Sequence, residues 1–509
     1  MNPVSGRSSL NLCLVSSEAV PFAKTGGLAD VVGALAVEFA KLGHDVCLII
    51  PGYRHFDAGG HVRTEFARVS VPTESGTVTT LVEQVSFPQA PVGSSGRLRV
   101  FAVRHDPFFD RAELYQEGGR DYPDNLERFA LFCRAVLEFL LDLGETEGWI
   151  CDILHVHDWQ AALCPVYLRT LYDKIPRLAR TRTVLTLHNL GYQGLFPAPG
   201  FRKTGLPAHN FTPQYQEFFG SVNLLKGGIL FADVLTTVSP TYSREIQTRE
   251  YGFGLEGVLA SRKDVLHGIV NGIDADTWNP ATDLFLPRHY SATDLSGKTS
   301  CKRELQRELG LARSAGPLLA VIARLTSQKG IDLILEVLPE LMESDFQIAV
   351  LGTGDAPLEK KLREFADQTP TRIAFRNAFD ERLAHRIEGG ADMFLMPSRY
   401  EPCGLSQLYS LRYGAVPIVR KTGGLADTVT TYTPISAREG RATGFAFSDS
   451  SAESLLTSVL LAQAVFANKP VWLRLVKTGM LQDLSWSRSA RKYLDLFGVA
   501  LTLPRQQGK

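Results

Sequence analysis

The amino-acid sequence predicts an α/β protein with two similar halves, each built on a parallel sheet. One heptapeptide, Lys-Thr-Gly-Gly-Leu-Ala-Asp, occurs at residues 24–30 and again at 421–427. Short apolar runs alternate with amphipathic stretches in both halves, which is the pattern of a parallel sheet covered by helices. The chain has 509 residues, more than one core of ordinary size requires, so two domains are expected.

The first domain is predicted to span residues 11–280 and to begin with a βαβ unit. Apolar runs at 11–16 and 45–50 read as buried strands. The stretch between them places apolar residues such as Leu35 on one helical face. A long helix is predicted at 125–143. Further strands are predicted at 67–71, 79–85, 98–103, 153–156, 183–187, 234–238 and 266–270.

The second domain is predicted at residues 314–484, where the alternation resumes after a polar segment. Because that segment, 281–313, is rich in polar side chains, a linker is expected there. A closing helix is predicted within residues 485–509, and residues 1–10 are expected to form a loose tail. Buried strands are predicted at 318–322, 347–351, 373–375, 393–396 and 416–419.

Composition excludes several classes of protein. The chain carries 54 Lys and Arg against 54 Asp and Glu, so no net basic field is present to hold nucleic acid or an anionic membrane. No apolar run reaches the length of a bilayer span. The seven cysteines are odd in number and show no CxxC spacing. This argues against a disulfide framework and a zinc site, and it favours a reducing cytoplasm.

The glycine-rich heptapeptide has the features of an anion-binding turn. In the first copy Gly26 and Gly27 stand between a predicted strand and a predicted helix, where backbone N–H groups and the helix dipole attract negative charge. Glycine would let the backbone approach a ligand and adopt a positive φ. Lys24 adds a mobile positive charge, and Asp30 falls in the first helical turn. The alternative is a tight turn in which glycine serves only the fold.

The second domain places charged residues directly after two predicted strands. Glu401 lies in the segment Pro-Ser-Arg-Tyr-Glu-Pro-Cys-Gly-Leu at 397–405, and Arg324 and Lys329 follow the strand at 318–322. Groups at the carboxyl ends of parallel strands are well placed to contact a polar ligand or a diphosphate. Alternatively, Glu401 is a surface carboxylate near a helix N-terminus and the two basic residues are solvated.

The first domain has polar residues in equivalent places. His188 follows the strand at 183–187 and either hydrogen-bonds a polar ligand or is a satisfied turn histidine. Asp158 follows the strand at 153–156 and is expected to cap the next helix. The adjacent Trp159 offers an aromatic face to a ligand.

These motifs resemble those of the bacterial glycogen synthases and the plant starch synthases. The two heptapeptides and the segment at 397–405 carry the resemblance, which covers nearly the whole chain. It implies two Rossmann-like domains that face an interdomain cleft, the architecture of a GT-B type glycosyltransferase. It also implies that the C-terminal helix, within 485–509, packs back on the first domain.

The resemblance implies a reaction as well. Synthases of this type transfer glucose from ADP-glucose to the non-reducing 4-hydroxyl of an α-1,4-glucan, with retention of configuration and release of ADP. The expected partners are therefore ADP-glucose and an α-1,4-glucan, which Trp159 would face. The choice of ADP over UDP rests on the resemblance alone, and nothing in the sequence specifies an oligomeric state.

The functional positions of the family carry over to this sequence residue by residue. The implied catalytic residues are His188 at the reacting sugar, Arg324 and Lys329 on the distal donor phosphate, Glu401 on the sugar hydroxyls, and Asp30. The implied substrate-binding residues are Lys24, Gly26, Gly27, Tyr122, Asn271, Gly354, Cys403, Gly404, Leu405, Thr422, Gly423 and Gly424. Closure of the cleft would bring the residues of one domain to those of the other.

The sequence also constrains the chemistry. Many retaining glycosyltransferases carry a second glutamate eight positions after the first, but here that position is Tyr409. Because no carboxylate pair is evident for a double displacement, a same-face substitution is expected, in which the leaving phosphate takes the acceptor proton. There is no GxxxxGK(S/T) loop and no acidic pair for a diphosphate-bound metal, so no metal or cofactor is expected.

Two other functions stay open. The donor could be the same while the acceptor is a small sugar or sugar phosphate, because a fold does not determine the acceptor. The chain could also be a non-catalytic glucan-binding scaffold, although the charged residues that such a protein would lose are all present. Product sizing with glycogen and with glucose 1-phosphate distinguishes the two acceptors.

Overall fold

A computed structural model describes residues 9–54, 60–87 and 96–504. Most of the predicted N-terminal tail and the last residues of the segment 485–509 lie outside these ranges. The chain divides into two units. Unit 1 comprises Met1–Val238, Ser243–Ile269 and Ser489–Lys509, and unit 2 comprises Ser239–Tyr242 and Val270–Arg488.

Unit 1 is built around a mostly parallel sheet. Its strands are β1 (Asn11–Val15), β2 (Asp45–Pro51), β3 (Arg63–Thr73), β4 (Gly76–Val85), β5 (Arg97–Arg104), β6 (Gln116–Glu117), β7 (Arg120–Asp121), β8 (Ile153–His157), β9 (Arg182–Leu187), β10 (Leu195–Pro197), β11 (Glu217–Phe218), β12 (Ser221–Asn223), β13 (Val234–Thr237) and β14 (Leu266–Gly268). In the described residues, nine of them form one sheet in the order β14-β13-β9-β8-β1-β2-β5-β4-β3. Neighbours from β14 to β5 are parallel, and β4 and β3 add an antiparallel edge.

Helices accompany this sheet. They are α1 (Gly27–Lys41), α2 (Asp106–Phe109), α3 (Asn125–Thr146), α4 (Asp158–Ala161), α5 (Leu163–Thr170), α6 (Leu224–Phe231), α7 (Pro240–Glu245) and α8 (Glu256–Ser261). Helix α1 buries Val32, Leu35 and Phe39 on the face that the sequence pattern predicts. The long helix predicted at 125–143 is α3.

Unit 2 is built around a fully parallel sheet. Its strands are β15 (Leu318–Ile322), β16 (Gln347–Leu351), β17 (Ile373–Arg376), β18 (Met393–Met396), β19 (Val416–Arg420) and β20 (Phe445–Phe447). The order is β17-β16-β15-β18-β19-β20, and every neighbouring pair is parallel. This is the 3-2-1-4-5-6 order of a doubly wound Rossmann sheet. The strand predictions for this half of the chain coincide with β15 to β19 to within one residue.

The helices of the second half are longer on average than those of the first. They are α9 (Ser296–Leu309), α10 (Ile331–Met342), α11 (Ala356–Gln368), α12 (Glu381–Gly390), α13 (Ser406–Tyr413), α14 (Gly423–Thr428), α15 (Pro434–Arg438), α16 (Ala452–Ala467), α17 (Lys469–Met480) and α18 (Trp486–Thr502). Within the described residues no single helix is long and apolar enough to span a membrane, although the pair α16 and α17, bent by 110°, reaches the length and composition.

Two of these helices, α9 and α18, bear on the predicted division of the chain into domains. The segment 281–313, predicted as a linker, contains α9 and clusters with unit 2. Its polar residues form the outer face of a helix that buries Cys301 and Leu305, which is why composition alone suggested a linker. From Ser489 onward α18 belongs to unit 1, where Tyr493 and Phe497 contact Phe39 at ring-centroid distances of 6.4 and 5.5 Å.

Candidate functional site

The strand order reverses once in the parallel part of each sheet, and candidate residues follow the strands at these places. In unit 1 the reversal lies between β1 and β8, and in unit 2 it lies between β15 and β18. At a reversal the connections leave toward opposite faces of the sheet, which opens a crevice beyond the carboxyl ends where ligands bind. Lys24 follows β1, Asp158 follows β8, Arg324 and Lys329 follow β15, and Glu401 follows β18.

The glycine turn after β1 already holds a carboxylate of the chain. Glu18, which is 3% exposed, accepts hydrogen bonds from the backbone N–H of Thr25, from Thr25 Oγ1 (2.7 Å) and from the Gly26 N–H (3.3 Å). The Tyr115 hydroxyl donates to the same carboxylate at 2.6 Å. Two backbone N–H groups of the predicted anion site are therefore already hydrogen-bonded to Glu18. Sequence reasoning missed Glu18, whose one signal is a carboxylate between a buried strand and a glycine pair.

The expectation that glycine adopts a positive φ in this turn is wrong for Gly26. Its φ is −159° and its ψ is −167°, an extended conformation open to any residue. An added Cβ would meet nothing within 4 Å. Hydrogen bonds to Glu18, rather than a backbone that only glycine adopts, account for the shape of the turn at this position.

Lys24 and Asp30 form an ion pair beside the turn. Lys24 Nζ lies 2.8 Å from Asp30 Oδ1, and the two side chains are 48% and 29% exposed. A pair this accessible contributes about 0–1 kcal/mol, so a ligand anion can compete for the lysine at little cost. Lys24 is therefore available to a ligand anion, and its role as a mobile cation stays a prediction.

Neutral histidines line the carboxyl ends of β8 and β9. His188 Nε2 lies 3.0 Å from His157 Nδ1, and the ring of His155 lies 4.2 Å from the ring of His157. Burial lowers the pKa of His188 to about 3, and the pKa of His155 to about 3, and it lowers the pKa of His157 well below its ordinary value. These rings are therefore uncharged at neutral pH, and His188 can form hydrogen bonds without carrying charge.

Asp158 does not cap its own helix as predicted. It is the first residue of α4, whose N-cap position is held by His157 without a side-chain hydrogen bond. Its carboxylate instead accepts the backbone N–H of His188 at 2.7 Å and thereby ties the ends of β8 and β9 together. Asp158 also has a φ of 54°, a strained value for a residue with a Cβ, and such strain clusters at functional sites.

Stability should depend on pH through Asp158. Burial raises the pKa of this carboxyl to about 7, whereas an aspartate of the unfolded chain titrates near 4. Folding therefore takes up a proton, and stability falls as the pH rises from about 4 to about 7. Asparagine does not titrate, so Asp158→Asn removes this pH-dependent fall in stability. Its amide oxygen can still accept the hydrogen bond from the His188 N–H. In urea unfolding we expect the stability of the variant, relative to the parent, to be roughly 1–3 kcal/mol more favourable at pH 8 than at pH 5. The same difference at both pH values would contradict this.

Tyr122 is packed in the interior of unit 1. Its ring lies 4.6 Å from the guanidinium of Arg111 and 4.9 Å from that of Arg128, and its hydroxyl donates to the Glu113 carbonyl at 3.2 Å. The residue is 7% exposed. Trp159 is partly exposed and meets the rings of two phenylalanines, at 5.0 and 5.8 Å. Trp159 thus keeps accessible surface that Tyr122 lacks.

Lys329 and Glu401 form the central ion pair of unit 2. Lys329 Nζ lies 2.6 Å from Glu401 Oε2, and the Ser398 hydroxyl donates to the same oxygen at 3.0 Å. The side chains are 20% and 7% exposed. Lys329 ends a 3₁₀ turn closed by Gly330 at φ 70°, where a Cβ would lie 2.3 Å from the Pro397 carbonyl oxygen. The loops after β15 and β18 are thereby packed on each other with the two charges facing.

Arg324 lies in the same loop and is exposed. Across residues 9–54, 60–87 and 96–504 it forms no ion pair, so its charge is open to a ligand. Gly354 packs against this loop: its Cβ would lie 2.3 Å from the Leu325 carbonyl oxygen, and its N–H donates to Glu359 at 2.7 Å. Gly354 therefore supports the backbone beside Arg324, and its own amide is occupied.

The second heptapeptide packs directly on the Glu401 loop. The Gly424 N–H donates to the carbonyls of Glu401 (3.2 Å) and Pro402 (3.0 Å). Gly423 has a φ of 44°, and a Cβ there would lie 2.0 Å from the Glu401 carbonyl oxygen. Thr422, just before them, is fully buried. In this copy the glycines are required by close backbone approach, in contrast to Gly26.

Cys403 and Asn271 form a buried contact beside Glu401. They are 6% and 7% exposed, and Asn271 lies close enough to the thiol to lower the pKa that burial raises. Burial raises the pKa of the Cys403 thiol to about 12, so it is a neutral wall and no nucleophile. Asn271 Oδ1 has no partner among the described residues. Gly404, at φ 70°, and Leu405 then lead the chain into α13.

Tyr409 belongs to an aromatic stack inside unit 2. Its ring lies 3.8 Å from that of Trp278, which stacks at 3.8 Å on His385 from the other side. His385 Nδ1 in turn lies 2.8 Å from Asp283 Oδ2. The position where many retaining enzymes carry a second glutamate is therefore part of the packing here.

Two family models match the chain. One is described as the starch synthase catalytic domain and matches residues 11–261, and the other is described as glycosyl transferases group 1 and matches residues 302–462. Glycogen synthase 2 of Geobacter sulfurreducens is 46% identical over 96% of this chain and 99% of its own length. The glycogen synthase of Koribacter versatilis is 45% identical over 96% and 98%.

Solved structures match as well. The catalytic domain of starch synthase IV from Arabidopsis thaliana, bound to ADP and acarbose, superimposes with a TM-score of 0.85 at 32% identity, covering 97% of this chain and all of that one. A sucrose-phosphate synthase from Thermosynechococcus elongatus, at 16% identity and a TM-score of 0.57, shares the fold. The two doubly wound units, together with the matches to the glycosyl transferases group 1 model and to the starch synthase structure, define a glycosyltransferase of the GT-B class. The chain belongs to the glycogen and starch synthase family, whose members are glucosyltransferases. The predictions of fold class and family are confirmed.

Proposed function

We propose that the protein extends α-1,4-glucans by transferring glucose from ADP-glucose to the non-reducing 4-hydroxyl, with retention of configuration and release of ADP. Relatives named glycogen synthase match it over nearly their whole length, and the Arabidopsis starch synthase was solved with ADP and acarbose. The observation that carries the proposal is the Lys329–Glu401 pair at the strand reversal of unit 2, with the uncommitted Arg324 in the same loop.

In this proposal the residues of unit 2 bind the donor. Arg324 and Lys329 contact the diphosphate, because a dianionic group needs cations and Lys329 can exchange Glu401 for phosphate. Glu401 accepts hydrogen bonds from the glucosyl hydroxyls, as a carboxylate held by Ser398 in a fixed position can do. Cys403 and Asn271 form the neutral wall beside it.

The transfer itself needs no second carboxylate. The bond from the anomeric carbon to the phosphate oxygen breaks, and a bond to the acceptor 4-oxygen forms on the same face of the sugar. The acceptor proton moves to the leaving phosphate oxygen, so charge and atoms balance. Arg324 and Lys329 stabilise the charge that develops on the phosphate, which is the largest contribution expected of such groups.

The residues of unit 1 serve as hydrogen-bonding and cationic partners in this proposal. His188 is neutral, since its pKa is about 3, and it therefore orients a sugar hydroxyl rather than supplying a proton near neutral pH. Lys24 leaves Asp30 to contact the donor. All seven cysteines are free and buried, which supports our further proposal of a cytoplasmic enzyme.

Arg324→Ala is expected to lower kcat roughly 10²-fold, because it removes one electrostatic contact made to the leaving phosphate. Lys24→Ala is expected chiefly to raise the KM for ADP-glucose. Steady-state kinetics with glycogen as acceptor measures both. Arg303→Ala is the matched control, because Arg303 is an exposed arginine of α9 in the same unit. Parent-like kinetics in the Arg324 variant would refute the donor assignment.

The proposed function is tested by nucleotide release from ADP-glucose and from UDP-glucose, each with and without glycogen, together with chain-length analysis of the glucan. Glycogen-dependent ADP release with longer chains is the expected result. A greater rate of UDP release than of ADP release would overturn the assignment of ADP-glucose as the donor. Nucleotide release without elongation would indicate a small acceptor, and no release from either donor would indicate a non-catalytic scaffold.

A further inference from the structure

His157 is buried and makes one side-chain hydrogen bond, to His188. It is 0% exposed, its Nδ1 lies 3.0 Å from His188 Nε2, and its own Nε2 is buried without a partner among the described residues. The ring of His155 packs against the ring of His157 at a centroid distance of 4.2 Å. His155 is held in turn by the Thr186 hydroxyl at 2.7 Å from its Nε2. His157 is thus a buried and packed partner for His188.

The geometry decides where the protons lie. Because both rings are neutral, each carries one N–H and one lone pair, and one of the two facing nitrogens must donate to the other. If His157 carried its proton on Nε2, that N–H would be buried and unpaired, which native structures strongly avoid. A buried lone pair without a donor is better tolerated. His157 therefore carries its proton on Nδ1 and donates it to His188 Nε2.

His188 must then carry its own proton on Nδ1. Its side chain is partly exposed, and in the described part of the chain its Nδ1 forms no hydrogen bond. We propose that His157 is a positioning residue that holds His188 in the Nδ1–H form, so that His188 presents a hydrogen-bond donor to a sugar hydroxyl. This inference rests on the proposed function for the identity of the ligand, whereas the proton placement stands on the contacts alone.

The rule that a buried N–H needs a hydrogen-bond partner also predicts the tautomer of His155. His155 Nε2 faces the Thr186 hydroxyl, which lies 2.6 Å from the Thr236 hydroxyl, while His155 Nδ1 is buried and unpartnered in the described residues. A proton on the paired nitrogen again leaves only a lone pair unsatisfied. Without His157, nothing in these contacts would favour one tautomer of His188 over the other, and a fraction of the enzyme would present an acceptor in place of a donor.

The test compares His157→Asn with His157→Leu in the full chain. Asparagine can place an amide N–H close to the position of Nδ1–H, whereas leucine fills the space without a donor. We expect His157→Asn to match the parent and His157→Leu to lose roughly 2- to 5-fold in kcat/KM for glycogen-dependent ADP release, because only the fraction of molecules in the Nδ1–H form presents the donor. His267→Leu, a half-buried histidine of β14 in the same unit, is the control.

The proton placement is read directly from the ¹⁵N chemical shifts of histidine-labelled protein without substrate, with the His188 signal assigned from its absence in His188→Gln. The parent and His157→Asn should show a protonated Nδ1, and His157→Leu should show a mixture of tautomers. A protonated Nε2 in the parent, or equal behaviour of the two variants, would overturn the proposal. If the ¹⁵N chemical shifts are as expected but the parent releases no ADP from ADP-glucose, the proposed function is refuted. The positioning of His188 by His157 then still stands.

Discussion

Lys329→Met is expected to lower kcat by roughly 10²- to 10³-fold, the effect of removing one preorganised charge from a developing oxyanion. The change also removes the ion pair at 2.6 Å and leaves Glu401, 7% exposed, with Ser398 as its partner. A buried charged group that loses its partner costs about 1–3 kcal/mol or more, so a fall in stability is expected together with the fall in kcat. Initial rates at saturating ADP-glucose and glycogen measure the first effect, and urea unfolding measures the second.

A double variant separates the two effects. Lys329→Met combined with Glu401→Gln removes both charges, so its stability should return toward that of the parent while its kcat stays low. Lys360→Met is the matched control, because Lys360 is a 78% exposed lysine of α11 whose charge faces Glu364 at 3.9 Å. If the double variant were as active as Glu401→Gln alone, the lysine would be needed for folding alone, and its assignment to the donor phosphate would be wrong.

Gly26 of the first heptapeptide and Gly424 of the second should respond differently to alanine. A Cβ at Gly424 would lie 2.0 Å from the Cys403 carbonyl oxygen and 2.5 Å from its Cα, and both are backbone atoms with little freedom to move. Gly424→Ala should therefore cost about 1–3 kcal/mol of stability and displace the Glu401 loop, with loss of most activity. A Cβ at Gly26 meets nothing within 4 Å, so Gly26→Ala should change stability by less than about 0.5 kcal/mol.

Differential scanning calorimetry measures the contrast. At about 2–4 °C per kcal/mol for a unit of this size, Gly424→Ala should lower the transition of its unit by roughly 2–12 °C, while Gly26→Ala should shift the transition of its own unit by less than about 2 °C. Gly26→Ala serves as the matched control, since it makes the same chemical change in the other copy of the heptapeptide. Equal shifts in the two variants would mean that the backbone approach at Gly424 is looser than the structure indicates.

Much of the arrangement was predictable because local patterns carry it. The strands β15 to β19 coincide with apolar runs bounded by polar loops, and a run of this length between helical patterns has few other interpretations. Since parallel strands expose their carboxyl ends on one edge, residues that follow those strands can be assigned to that edge from the sequence alone. Arg324, Lys329 and Glu401 are identified in this way.

Other features depend on contacts between residues distant in sequence. Asp158 was predicted to cap its helix, but its carboxylate binds an N–H 30 residues further along, which no local pattern indicates. The segment 281–313 resembles a linker by composition, because the apolar face of α9 is narrow. The sequence shows that position 409 carries a tyrosine in place of a second glutamate. It does not show that this tyrosine stacks on Trp278.

By itself the sequence determined the α/β class, the repeated turn, the family and the charged residues after the strands, because each depends on a spacing within a short stretch of chain. Tertiary structure alone decided what each copy of the heptapeptide does. The first binds the buried carboxylate of Glu18, and the second packs its glycines on the carbonyls of the Glu401 loop. Identical residues differ in this way because their surroundings differ: hydrogen-bond partners and steric limits come from whichever chain segment the fold brings against them.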